Sequence, residues 1–210
     1  MYIISEFQME IDKFRVFSIM ECSKDSPVYD EVNYDYYFLL DVLYSYTEPK
    51  GIFQFFDYSH EAYSLPVNCE KVVLAILSLG KQVENQIFQL FDQGDYLKGM
   101  LLDIMADELL FNLSNQLDDL IFEEAQKMKL GLTRRLSPGE MNIPIEHQKL
   151  IFDRLEASEL LKMSISEGYM LDPVKSTAFL RGADPGIPMK KNTHDCSQCN
   201  LKDCKYKGTY

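Results

Sequence analysis

Tryptophan is absent from this chain, histidine occurs three times, and positive charge is scarce, with 21 lysines and arginines against 33 aspartates and glutamates. The resulting net charge of −12 excludes ordinary nucleic-acid binding, because phosphate recognition needs a cationic face. It suits a soluble protein and favours a cationic ligand or partner. Long apolar runs are missing too. The strongest, Val72 to Leu79, is bracketed by Lys71 and Lys81 and is far too short to span a bilayer, so no membrane association is expected. Near Met1 no basic segment leads into an apolar one, since Ser5, Glu6 and Glu10 interrupt the stretch. No secretory signal is read there, and cytoplasm is the expectation. The three histidines are His60, His147 and His194. His147 falls in the first turn of a predicted helix and reads as a surface residue. The five cysteines are odd in number and three crowd the C-terminus, which is not the layout of a disulfide framework.

What is present suffices for a real core: 210 residues, 46% of them hydrophobic, make one large domain or two small ones. Tyr2 to Ile11 alternates as a strand does, with Ile3, Phe7 and Met9 as inward candidates. Asp12 suits the N-cap of a short helix through Phe17. Tyr29 to Tyr46 carries Tyr36, Leu39, Leu40 and Leu43 at helical spacing, and Pro49-Gly51 stops it. Gly51 to Tyr58 reads as an aromatic-rich strand, and Val72 to Leu79 as a buried strand or a helix start. The longest helical pattern runs from Tyr96 to Met128. Leu97, Leu101, Ile104, Met105, Leu109, Leu113, Leu117, Leu120 and Ile121 form its stripe, and Asp103, Asp107, Asn115 and Asp118 lie largely off it. Ile145 to Leu161 is amphipathic, and strands are expected over Ser164 to Met170 and Ser176 to Leu180. After Gly182 the composition turns to Asp-Pro-Gly, lysine and cysteine. That shift divides the chain into a folded part, 1–182, and a tail, 183–210.

Two segments carry possible chemistry. Ser137-Pro138-Gly139-Glu140 fits a type II turn, with proline fixing φ at the second position and glycine accepting positive φ at the third. Such a turn can present backbone N–H groups to a ligand. Arg135 just before it offers a planar fork suited to a carboxylate. The plain alternative is a surface turn flanked by solvated arginines. The second segment is Met170-Leu171-Asp172-Pro173-Val174-Lys175-Ser176. Its Lys175 suits a phosphate or carboxylate, or else is a solvated lysine on an edge strand.

Taken together, Arg135-Leu136-Ser137-Pro138-Gly139, then Pro144 and Gln148, then Met170, Pro173, Lys175 and Ser176 resemble the activation domain of cobalamin-dependent methionine synthase. Leu101-Leu102-Asp103 resembles the start of that family's long helix. Glu140 stands where the family has tyrosine, and Phe111 stands near the place of an expected acidic residue. The resemblance spans most of Cys69 to Arg181. It implies an α+β fold, a twisted and mainly antiparallel sheet braced by the long helix. It also implies a site for S-adenosylmethionine made by Arg135, Ser137, Pro138, Gly139, Glu140, Lys175 and Ser176. The implied function is accessory: a free-standing subunit supporting reductive methylation of an inactive corrinoid, with no catalytic acid, base or nucleophile of its own. No Asp-x-His-x-x-Gly loop for holding a corrinoid is found. The corrinoid would therefore come on a partner methyltransferase protein, with an external electron donor.

In the tail, His194, Cys196, Cys199 and Cys204 bring soft ligands close together and suit zinc. An iron–sulfur cluster is a second option, although neither common ferredoxin spacing fits, and a plain basic-leaning tail with reduced surface thiols is the third. Two competing functions stay open: an interaction protein of the same fold that no longer binds S-adenosylmethionine, and a metal-linked electron-transfer accessory.

Overall fold

The structure is a computed structural model and describes residues 1–59, 69–140 and 143–191. In chain order its elements are β1 (Tyr2–Ile4), α1 (Lys13–Ile19), α2 (Tyr29–Tyr46), β2 (Lys50–Asp57), β3 (Lys71–Ser78), α3 (Lys81–Asp92) and α4 (Tyr96–Lys127). Then follow β4 (Gly131–Leu132), α5 (His147–Arg154), α6 (Ala157–Leu160), β5 (Ser164–Ile165), β6 (Leu171–Asp172) and β7 (Ser176–Asp184). A five-stranded sheet runs β1-β2-β3-β7-β4, antiparallel at every pairing, and β5 and β6 make a separate small hairpin. The expected α+β architecture is what forms.

Strand alternation divides the sheet between two cores. Phe53, Val73, Ala75, Leu77, Phe179 and Ala183 face α1 to α4. Ile52, Val72, Leu74, Ile76, Ala178 and Leu180 face α5, α6 and the small hairpin. With both faces covered, β3 is buried almost throughout, which is why Val72 to Leu79 reads as an unbroken apolar run. The long helix braces the first face as its stripe requires, burying Leu101, Met105, Leu109, Leu113, Leu117 and Ile121. Its 32 residues span about 48 Å. Among the described residues, no helix is long and apolar enough to cross a membrane.

Several expectations shift in detail. Asp12 does cap α1, accepting from the N–H groups of Phe14 and Arg15. The first strand, however, covers only Tyr2–Ile4, and Ile3 points to solvent. Beyond it Phe7, Met9 and Ile11 still turn inward, but their segment lies along α4 instead of a strand. The amide of Gln116 stands in for a neighbouring strand, accepting from Gln8 N–H at 2.9 Å and donating to Gln8 O at 2.7 Å. Helix α3, absent from the sequence reading, fills Lys81–Asp92 and buries Val83 and Ile87. The Ile145 to Leu161 pattern is interrupted at Glu156, whose φ is +50°, giving two short helices. His147 is half-buried in α5. The strand expected over Ser164 to Met170 shrinks to the two residues of β5. Strand β7 continues past Gly182 to Asp184, and Ala183 pairs with Lys71. A side chain at Gly131 would put its Cβ 2.0 Å from the Ile187 carbonyl oxygen, so the chain leaving β7 passes directly over that glycine.

Candidate functional site

The segment from Thr133 to Leu136 runs beside β7, with Thr133 N–H on Gly182 O and a bridge between Leu136 and Leu180. Alternation therefore sends Leu136 into the second core and Arg135 to the opposite side, toward α4. There its Nη1 donates to Ser114 Oγ at 2.9 Å and its Nη2 to Thr177 Oγ1 at 3.4 Å. The guanidinium lies 3.9 Å from the centroid of the Phe179 ring, a stacking arrangement that keeps the fork planar against the sheet. The side chain is partly exposed. It is oriented by three neighbours, not loose as a solvated surface arginine would be.

The turn itself forms as the sequence requires. Glu140 N–H donates to Ser137 O at 3.1 Å, and Gly139 has φ +83°, the type II pattern. One expectation fails here. Gly139 N–H is taken by Ile143 O at 2.9 Å and Pro138 has none, so the turn does not aim these amides at a ligand. What it leaves available are carbonyl groups and the side chains of Ser137 and Glu140, both half-exposed, while Pro138 is buried.

Lys175 and Ser176 are drawn into the protein. The Lys175 side chain is 8% exposed, with Nζ 2.7 Å from Asp103 Oδ1 and 2.6 Å from Asp107 Oδ1. The edge-strand alternative is corrected, since β7 lies inside the sheet and Lys175 precedes it buried against α4. It also borders a cleft of about 320 Å³ between α3 and α4 whose walls include Glu84, Phe88, Met100, Asp103 and Val174. Ser176 Oγ donates to Pro173 O at 2.7 Å and lies 2.8 Å from Ser78 Oγ.

Buried Arg181 and partly buried Arg15 complete this side of the sheet, and little in their sequence context marks either. Arg181 bonds Thr133 O through Nε at 2.8 Å and both carboxylate oxygens of Asp118 through Nη1. Only its place in an alternating strand opposite an off-stripe aspartate would have suggested it. Arg15 lies 4.9 Å from the Phe111 ring centroid and 3.4 Å from Glu108 Oε2. A carboxylate thus does occur near Phe111, one helical turn earlier. Burial pushes the Glu108 carboxyl above the ordinary range, and Arg15 only partly offsets this. It was hidden in sequence because Glu108 sits among the leucines of the stripe.

Among the described residues no three of histidine, cysteine, aspartate and glutamate converge as metal ligands. His194, Cys196, Cys199 and Cys204 lie outside the described residues. Cys22 and Cys69 are buried free thiols.

No family model matches the chain, and no curated protein sequence does. Among solved structures it is similar to the crystal structure of the MetH reactivation domain bound to AdoHcy, with a TM-score of 0.62 and 16% identity. The likeness covers 87% of this chain and 76% of that one. The chain therefore has the reactivation-domain fold.

Proposed function

We propose that this protein binds S-adenosylmethionine and supports reductive methylation of a corrinoid cofactor carried by a partner methyltransferase such as methionine synthase. The observation that carries this reading is Arg135, oriented on Ser114, Thr177 and Phe179 beside the type II turn, in a fold whose solved relative holds AdoHcy. AdoHcy is the demethylated form of the same donor.

The residues fit the ligand's chemistry. A partly exposed guanidinium held flat suits the amino-acid carboxylate, and Glu140 supplies negative charge compatible with a sulfonium. Ser137, Pro138 and Gly139 set the edge of the site and the position of Glu140. Lys175 and Ser176 act from behind, fixing β7 against α4. When bound, the corrinoid supplies the cobalt that accepts the methyl group. The chain's own work is to hold the donor in position, which needs no acid or base. An electron donor completes the system, and the cytoplasm, where thiols stay reduced, is its setting. The tail residues His194, Cys196, Cys199 and Cys204 bind zinc or an iron–sulfur cluster in this reading. Metal analysis with a visible spectrum on anaerobically purified protein separates the two, and a metal-free protein removes that part.

A second reading has its own support. Arg135 already has partners in the protein, and the turn's amides close on the loop itself. Both suit an interaction protein that has lost the donor. Titration calorimetry decides between them. The proposal expects S-adenosylmethionine to bind, and Arg135→Ala to weaken binding by about 2 kcal/mol, the loss of a charge-assisted pair. Absence of binding to the unaltered protein selects the second reading.

A further inference from the structure

Helix α2 contains no lysine or arginine but carries Asp30, Glu31, Asp35 and Asp41. Its inward residues Val32, Tyr36, Leu39 and Leu43 are buried in the first core. Its outward face is unlike an ordinary solvated one. Tyr34, Tyr37 and Phe38, spaced at i, i+3 and i+4, form one surface, with exposed Asp30 and Asp41 at its two ends. These three rings and Phe14 of the adjoining α1 are 57–81% exposed. Nothing in the folding of α2 needs aromatic residues there, because the inward face alone provides its packing. An exposed aromatic cluster of this kind is a mark of an interaction surface.

At the inner edge of this surface, between exposed Tyr37 and the buried Phe17 and Tyr36, a cation is already held. Lys13 Nζ lies 4.3 Å from the centroid of the Tyr37 ring and 5.1 Å from those of Phe17 and Tyr36. It donates to Asn33 Oδ1 at 2.5 Å and to Tyr37 Oη at 3.1 Å. Ring faces next to carboxylates attract ammonium and guanidinium groups together with the apolar stems that carry them. A second copy of this chain is a poor occupant. Antiparallel pairing of two α2 faces would set Asp30 against Asp41, with no basic residue on either helix and a charge of −12 on each molecule. Anionic membranes and nucleic acids are repelled for the same reason.

We propose that the outward face of α2 is a docking surface for a basic segment of a partner protein, one that presents arginines or lysines a helical turn apart among apolar residues. The rings take the stems and cationic heads, and Asp30 and Asp41 take the flanking charges. The surface is independent of whatever the turn at Ser137 binds.

The test uses the full chain and a labelled synthetic helical peptide with arginines and leucines along one face, followed by fluorescence anisotropy. The intact protein is expected to bind it. Tyr34→Ala/Phe38→Ala, which alters only exposed side chains, is expected to weaken binding at least about tenfold, and Asp30→Lys/Asp41→Lys to weaken it similarly. Asp153→Lys/Glu159→Lys changes net charge equally but lies on α5 and α6, across the sheet, and is expected to leave affinity unchanged. The proposal is overturned if the intact protein does not bind, if both α2 variants bind normally, or if the α5–α6 variant loses affinity equally. Sedimentation showing a dimer that Tyr34→Ala/Phe38→Ala dissolves would overturn it in favour of self-association.

Discussion

Arg181 and Asp118 are joined by one guanidinium nitrogen standing 2.8 Å from each carboxylate oxygen. The pair ties the sheet to the bracing helix at a point where the arginine side chain is 1% exposed. Asp118→Ala would leave that arginine buried without its counter-charge. A loss of about 3 kcal/mol in urea unfolding is expected. The double variant Asp118→Leu/Arg181→Met should recover part of it, because it removes both charges. A single variant as stable as the parent would show that the pair bears no structural weight.

Lys175 provides a second tie between the sheet and α4. Its carboxylate partners are partly solvated, Asp103 at 40% and Asp107 at 29% exposure, so the effect is smaller than for Arg181. Lys175→Met should lower stability by about 1–2 kcal/mol. It should leave the S-adenosylmethionine titration nearly unaltered if the lysine acts from behind the site. A large loss of ligand affinity with intact stability would return it to the ligand.

Gly139 holds φ +83°, and an added Cβ would lie 3.2 Å from Ile145 Cδ1. Gly139→Ala therefore meets both left-handed strain and a tight contact, and about 1–2 kcal/mol of destabilisation is expected. Thermal unfolding would measure it.

The Glu108 carboxyl is raised above its ordinary value of 4.5 chiefly by burial. A group with a raised folded-state value binds its proton more tightly when folded. Its contribution to stability is complete below pH 4.5 and is lost as pH rises through the raised value. Glu108→Gln cannot ionise, so the variant should gain on the parent as pH increases from about 4 toward neutrality. Urea midpoints that shift in parallel for both proteins across that range would contradict the assignment.

Residue type and spacing were enough for much of this molecule. Asp12 at a cap, the α2 and α4 stripes, Pro138-Gly139 at the second and third positions of a turn, and the unbroken apolar run of β3 are local signals. Each is set by backbone sterics or by the side chain's share of a periodic face, and each appears where expected. Helix α3 is not read from sequence although Val83, Ile87, Leu90 and Phe91 recur at i, i+4, i+7 and i+8, a helical period. The Gln8 segment was misassigned because alternation reports which side chains turn inward, not what bonds the backbone.

For the candidate site, local chemistry indicated a tight turn after Arg135 and a planar fork beside it. Which groups it meets was set by the assembled layers, because Ser114, Thr177 and Phe179 are brought to it from a helix and a strand distant in sequence. The same holds for Lys175, whose carboxylate partners lie about 70 residues away. Charged residues are legible as charged from sequence alone. Whether each is solvated, paired or open to a ligand depends on the dielectric and the neighbours that packing supplies, and only the tertiary structure decided that.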